Sequence, residues 1–336
     1  MGQVSVEERF VIGIDIGGTK VAAGLVDGSA QIQCQTRSPM VPDGDAAAGL
    51  AAVLSAVNTL SASSGNGEQR SIRGIGICSP GPLDPETGVV INPPNLPCWR
   101  NFPLATKIAQ IYGVPVKIDN DANGAALAEA RWGAGSGYRN VFYITIGTGF
   151  GTGIVIDGNI YHGRTGAAAE GGHLSIDYRG PRCRCGKRGC IETLVSGPAI
   201  AQRARTKLMT ERGISSAILE FAGGKVASVT SDMIGKANIA GDAIAREILL
   251  ETVEPLSLWL GNIVDLLEPD VMIMGGGVAT MVSPFFDEIR NRLPKFCINT
   301  RCQEIPLLRA HYGADSGILG AASIVSAEKK NGARSI

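Results

Sequence analysis

Several groups of residues in this 336-residue chain have the types and spacing to do chemistry. The densest is Glu170-Gly171-Gly172-His173, followed by Cys183-Arg184-Cys185 and then by Gly186-Lys187-Arg188-Gly189-Cys190-Ile191-Glu192. One imidazole and three thiols make a complete tetrahedral set for Zn²⁺, and with no ligand position left for water such a site is structural. The segment also carries Glu170, His173 and Glu192. Two carboxylates beside an imidazole suit hydrogen bonds to sugar hydroxyls, with His173 offering one ring nitrogen to metal and the other to a ligand.

Asp119-Asn120-Asp121-Ala122-Asn123 falls where a strand pattern meets a helix pattern. A carboxylate at such a corner suits removal of a proton from a hydroxyl that attacks a phosphate. Helix capping by Asn120 or Asp121 is the competing reading, and local sequence alone prefers it. Three glycine-rich turns add backbone N–H groups able to meet phosphate. Asp15-Ile16-Gly17-Gly18-Thr19-Lys20 combines a carboxylate suited to Mg²⁺ with two glycines, a hydroxyl and a cation, and Gly147-Thr148-Gly149-Phe150-Gly151-Thr152-Gly153 is its counterpart. Gly275-Gly276-Gly277 suits the flat face of a nucleotide or its ribose. There is no GxxxxGK[ST] loop, and the first turn does not complete GxGxxG before a helix, which disfavours a dinucleotide-binding dehydrogenase. His162 and His311 lie apart from these groups and read as structural or surface residues.

The elements that must position these residues show a repeat. RFVIGIDIGGTKVAAGLVDGSAQI reads as strand, tight turn, strand and hairpin, and VFYITIGTGFGTGIVIDGNI repeats that layout at an offset of 130 residues. Val11 matches Val141, Ile14 matches Ile144, Gly17 matches Gly147, and Asp27-Gly28 matches Asp157-Gly158, as in a duplicated hairpin. Helical spacing is predicted over 45–61, directly after the strand VPVKIDND, through AIAREILLETVEPLSLWLGNIVDLLEP, and in SGILGAASIVSA. SSGNGEQ reads as a polar loop and KKNGARSI as a frayed tail. PGPLDPETGVVINPPNLP is a loop whose length and stiffness point to function. Strands alternating with helices in two halves that open alike predict an α/β protein of two similar lobes.

Composition narrows the classes. With 31 basic and 31 acidic side chains and 44% hydrophobic residues the chain is globular, and neither a net positive charge nor a Lys/Arg run marks a nucleic-acid binder. No stretch reaches the roughly 18 uncharged apolar residues of a membrane span, and Glu7, Glu8 and Arg9 stand where a signal peptide needs its apolar core. A cytoplasmic protein with neither nucleic acid nor membrane as partner is therefore expected. Cys34, Cys78, Cys98, Cys297 and Cys302 are scattered as ordinary reduced thiols would be. The 45 glycines are about 13% of the chain against a usual ~7%, so the excess should sit at particular backbone positions.

Together DIGGTK, NDAN and EGGH followed by CRCGKRGCIE resemble the ROK family (repressors, open reading frames and sugar kinases) of the hexokinase/actin-like superfamily. The likeness runs from about Phe10 to Ser326. It implies an actin-like, ribonuclease-H-like ATPase fold with a duplicated core, divided into a small lobe over 1–118 plus about 310–336 and a large lobe over 119–309. It implies ATP-dependent phosphorylation of a hexose 6-hydroxyl, with glucose as the first expectation from EGGH and PPNL and N-acetylmannosamine or N-acetylglucosamine as alternatives. Asp121 becomes the base, a family implication that overrules the capping preference. Asn95, Asn120, Glu170, His173 and Glu192 would hold the other hydroxyls. His173, Cys183, Cys185 and Cys190 would bind structural Zn²⁺. Asp15 with Gly17, Gly18, Thr19 and Lys20 would handle Mg²⁺ and phosphates, Thr148 and Gly149 would face ATP, and Gly276 and Gly277 would lie near the adenosine. A homodimer or homotetramer is implied. Family repressors carry a DNA-binding domain ahead of the first strand; only about nine residues precede it here, so a kinase is expected over a repressor, with a non-catalytic sugar sensor as the rival class.

Overall fold

The computed structural model describes residues 9–63, 71–210 and 215–326. The expected tail, Glu7, Glu8 and, beyond Ser63, the expected polar loop fall outside them. The chain forms two compact units, the first from Met1–Trp132, His162–Ala167 and Ala314–Ile336, the second from Gly133–Tyr161 and Ala168–Gly313.

The first unit begins with β1 (Arg9–Ile16), β2 (Lys20–Val26), β3 (Ile32–Pro39) and α1 (Ala46–Ser63). β4 (Ser71–Ser79), β5 (Leu83–Asp84), β6 (Val89–Val90), α2 (Leu104–Tyr112), β7 (Val116–Asn120) and α3 (Asp121–Trp132) follow. The second unit holds β8 (Asn140–Ile146), β9 (Phe150–Ile156), β10 (Asn159–Ile160), α4 (Glu192–Val195), α5 (Gly197–Thr210), α6 (Ala217–Phe221), α7 (Ser231–Ile239) and α8 (Ala243–Leu267). It ends with β11 (Val271–Gly275), α9 (Gly277–Val282), α10 (Phe286–Arg292) and β12 (Leu307–Arg309), after which α11 (Ser316–Val325) belongs to the first unit.

Each unit has one five-stranded sheet, and the two share a topology. Their orders are β3-β2-β1-β4-β7 and β10-β9-β8-β11-β12. In both, three consecutive antiparallel strands are extended by two parallel ones. This is the duplicated core expected from the 130-residue offset. The copies differ by one residue at the turn: Ile16 pairs with Val21, but Ile146 pairs with Phe150. The segment 119–132, assigned by sequence to the large lobe, groups with the first unit because β7 pairs with β4 (Ile77↔Ile118) and α3 packs on α11. The proline-rich loop after β4 folds in part into the β5–β6 pair.

Burial explains the sequence pattern. β1 and β4 are covered almost throughout, as central strands bearing helices should be, and so read as continuous apolar runs. β3, at the sheet edge, alternates half-buried and exposed side chains. Trp99, Ile14, Ile75 and Ile77 anchor the first core; Trp259, Phe142 and Ile144 anchor the second. α11 lies on β1 and β4 so closely that a Cβ added to Gly76 would fall 1.7 Å from the Ala321 carbonyl oxygen, and one on Gly13 2.1 Å from that of Ile318. Part of the glycine excess thus serves helix-on-sheet contact rather than ligand approach.

Candidate active site

In the first unit the candidate residues gather at the ends of β1 and β7. Asp15 is the penultimate residue of β1, and its carboxyl lies against Gly317 of α11, where an added Cβ would come within 2.4 Å of the Asp15 Cγ. Burial and the charge of Asp121 push the Asp15 pKa up, and Lys20 opposes them. The following turn closes by Gly17 N–H donating to Lys20 O at 2.8 Å, leaving Thr19 and Lys20 exposed. Asn95 is exposed and lies beside this turn, its carbonyl oxygen 3.0 Å from where a Gly18 Cβ would stand.

Asp121 opens α3 directly after β7. The Ala122 N–H donates to both Asn120 Oδ1 (2.9 Å) and Asp121 Oδ1 (2.8 Å), so the capping that local sequence preferred is present. It occupies one oxygen of Asp121 and leaves Oδ2 for other work. The side chain is solvent-accessible, yet the protein around it desolvates the carboxylate and pushes its pKa up, against the Ala122 N–H that lowers it. A carboxyl that is reachable and holds its proton more tightly than usual is the kind of group that serves as a base nearer neutral pH.

Just behind Asp121, Asp119 is almost wholly buried. Its Oδ1 accepts from Asn120 N (2.7 Å) and from Asn123 Nδ2 (2.9 Å), while its Oδ2 meets His162 Nε2 at 2.6 Å. Sequence reading left His162 without company. The structure corrects that, and no local signal reveals the pair because its members stand 43 residues apart in the chain.

In the second unit the cysteine loop is built by its turns. Gly186 N–H donates to Cys183 O and Cys183 N–H to Lys187 O, and the Ser175–Cys190 and Arg182–Arg188 bridges close the loop on itself. The His173, Cys183, Cys185 and Cys190 donor atoms all lie within 4.8 Å of one another. Cys185 Sγ is 3.6 Å from Cys190 Sγ, and Cys183 Sγ is 3.6 Å from His173 Nδ1. Zinc bonds of about 2.3 Å to sulfur and 2.0 Å to nitrogen make tetrahedral edges of about 3.8 and 3.5 Å, so the donor set fits the ion. Because Nδ1 faces the thiols, the Nε2 of His173 is the nitrogen available to a ligand. The loop also carries Arg179, Arg182, Arg184, Lys187 and Arg188, all exposed, a local concentration of positive charge that the chain-wide balance conceals.

What positions His173 was not legible beforehand. Gly171 N–H donates to Thr152 Oγ1 (2.9 Å), Thr152 Oγ1 donates to Ala169 O, and Trp259 Nε1 donates to Gly171 O (3.0 Å). Gly172 sits where a Cβ would come within 2.2 Å of Phe150 O, so the Gly-Gly of this segment lets it lie flat on β9. Glu170 is exposed at its start. Glu192, at the start of α4, accepts from Phe150 N–H in the glycine turn (3.0 Å). Thr148 and Gly149 are exposed at the tip of that turn, and Gly276 lies against Ile146 at its base. All eight cysteines are free thiols. Among the described residues no helix is long and apolar enough to cross a membrane.

A sequence model of the ROK family matches residues 11–328. The glucokinase of Thermotoga maritima is 33% identical over 318 residues, covering 94% of this chain and 96% of that protein. The xylose repressor of Caldicellulosiruptor bescii is 32% identical over 221 residues, 66% of this chain and 54% of the repressor. A crystal structure of a ROK family glucokinase from Streptomyces griseus, in complex with glucose and AMPPNP, superposes with a TM-score of 0.78 at 33% identity, covering 94% of this chain and 98% of that one.

Proposed function

The chain belongs to the ROK family, and from that premise we propose that it is an ATP-dependent sugar kinase that phosphorylates a hexose at the 6-hydroxyl, glucose first among acceptors. The observation that carries the reading is Asp121: a reachable carboxylate at a strand-to-helix corner, with one oxygen uncommitted and a raised pKa. Asp121 takes the proton of the 6-hydroxyl as that oxygen bonds to the γ-phosphorus of ATP and the bond to the bridging oxygen breaks, releasing ADP. Asn95, Asn120, Glu170, His173 through Nε2, and Glu192 hold the remaining hydroxyls and set the reacting oxygen in line.

Asp15 holds Mg²⁺, which when bound offsets the phosphate charge. Backbone N–H groups of the Gly17–Lys20 and Thr148–Gly149 turns meet phosphate oxygens, and Gly276 and Gly277 border the adenosine. His173, Cys183, Cys185 and Cys190 hold Zn²⁺ as a closed structural centre that keeps the imidazole and Glu192 in place. The protein acts in the cytoplasm as a homodimer or homotetramer.

The likeness to a xylose repressor favours one rival, a sugar sensor without phosphoryl transfer. A coupled ADP-release assay with glucose, mannose, fructose, N-acetylglucosamine and N-acetylmannosamine separates the readings. Turnover highest on glucose supports the proposal, turnover confined to an N-acetyl sugar replaces the acceptor, and sugar binding without ADP release favours the sensor.

A further inference from the structure

His162 lies in a short stretch, His162–Ala167, that belongs to the first unit although the residues on either side of it belong to the second. Two contacts hold the stretch there. Gly166, at φ +82°, lies against Pro85 and the Leu83 carbonyl, and His162 Nε2 meets Asp119 Oδ2 at 2.6 Å. Asp119 is 2% exposed, and a buried carboxylate is stable only when its oxygens are paired. Asn123 Nδ2 and the Asn120 N–H take Oδ1, and His162 is the side chain that takes Oδ2. Asp119 in turn fixes Asn120, whose N–H it accepts, and Asn123, one helical turn along on α3. These two residues bracket Asp121.

Resting on the reading of Asp121 as base, we propose that His162 is a positioning residue for phosphoryl transfer, holding Asp119 so that the β7–α3 corner presents Asp121 to the sugar hydroxyl. His162 touches neither sugar nor nucleotide in this role and acts through one hydrogen bond. The charged groups acting on the imidazole are Asp119, from β7, and Glu86, from the turn after β5, and both favour its protonated form. That form donates to Asp119 with full charge assistance. As pH rises through the histidine's elevated pKa the charge is lost, and the pair weakens to a neutral N–H donor.

The test uses the full chain with His162→Ala, His162→Gln and Asp121→Asn, measuring kcat, the KM of sugar and ATP, and the pH dependence of kcat. His162→Ala is expected to lower kcat by about 10-fold or more while sugar KM moves less than about 3-fold, as for a residue that orients the base without binding substrate. His162→Gln, whose amide N–H reaches toward the same oxygen, is expected to recover most of that loss and to lack the alkaline decline that titration of the imidazole produces in the parent. Wild-type kcat in His162→Ala, or a Gln variant as impaired as Ala, overturns the positioning role. If His162→Ala fails to fold, the Gln variant's kcat and pH profile still decide. Failure of the underlying reading is distinct: there Asp121→Asn itself keeps full activity, whatever the His162 variants do.

Discussion

The carboxylate of Glu192 links the cysteine loop to the glycine turn: its Oε2 accepts the Phe150 N–H at 3.0 Å and its Oε1 stands 3.9 Å from Cys183 Sγ. A change at Glu192, the carboxylate proposed for a sugar hydroxyl, therefore reaches the turn too. Glu192→Gln keeps an acceptor for Phe150 but removes the charge, and is expected to raise sugar KM about 10-fold, the worth of one charged hydrogen bond, with ATP KM nearly unchanged. Glu192→Ala also leaves the Phe150 N–H without its partner and should raise both. Steady-state kinetics with each substrate varied in turn checks this, and an unmoved ATP KM in the Ala variant rules out support of the turn by Glu192.

Asp121→Asn retains the bond to the Ala122 N–H and the side-chain volume but cannot take a proton. It should lower kcat at least about 100-fold and leave sugar affinity, read by calorimetry, largely intact. The pH dependence has a definite sign. Desolvation raises the Asp121 pKa, so the proton stays on to a higher pH than on an ordinary aspartate near 3.9. Activity falls as pH drops through that raised value, and the acid limb of kcat/KM should lie above the position of an unperturbed aspartate. An acid limb at or below about 4 contradicts assignment of the base to this residue.

Metal content is a separate test. One zinc per chain is expected by elemental analysis. Chelation or Cys185→Ser should lower the melting temperature by about 5 °C or more, because binding of a structural ion contributes directly to folding stability. Sugar binding should be lost with it, since His173 is both part of the donor set and the imidazole proposed for a hydroxyl. Full sugar affinity in a metal-free sample means that the loop keeps its shape without the ion.

The His162–Asp119 pair predicts how stability changes with pH. Folding raises the histidine's pKa, chiefly through the bond to Asp119, so its contribution is complete below the unfolded value near 6.5 and disappears as pH rises through the folded one. Melting temperatures of the parent and His162→Gln should differ most at about pH 6 and converge toward pH 9. A difference that is flat across this range means that His162 is neutral in both states.

Much of this was legible in the sequence because it is local. Hairpins repeat at a fixed offset, and four metal-type ligands crowd one short segment, so the duplicated sheets and the donor cluster could be read from spacing. Local sequence marks Asp121 only as a strand-to-helix corner residue, since a cap and a base demand the same side chain at the same place, and its reading as a base comes from the family resemblance. His162 and the Thr152–Trp259 clamp on Gly171 were hidden because each joins residues 19 to 88 positions apart that only the folded sheet brings together. The division after residue 118, implied by the resemblance, cuts through β7, whose hydrogen bonds to β4 tie the whole strand and the helix after it to the first unit.

The glycines offer a last prediction, in which two substitutions of the same chemistry should diverge. Gly76 lies in β4 beneath α11, where a methyl group would meet the Ala321 carbonyl oxygen at 1.7 Å, while an added Cβ at Gly28 has nothing within 4 Å. Backbone cannot yield as a flexible side chain does, so Gly76→Ala must push the helix off the sheet. It is expected to destabilise the first unit by about 1–3 kcal/mol, against less than about 0.5 kcal/mol for Gly28→Ala. Because α11 also abuts Asp15 through Gly317, the displaced helix should disturb the carboxylate proposed for Mg²⁺. Denaturant melts of the two variants, with the Mg²⁺ concentration for half-maximal turnover, supply both readouts. Equal stability in the two variants contradicts the close helix-on-sheet contact, and an unshifted Mg²⁺ requirement in Gly76→Ala separates that contact from Asp15.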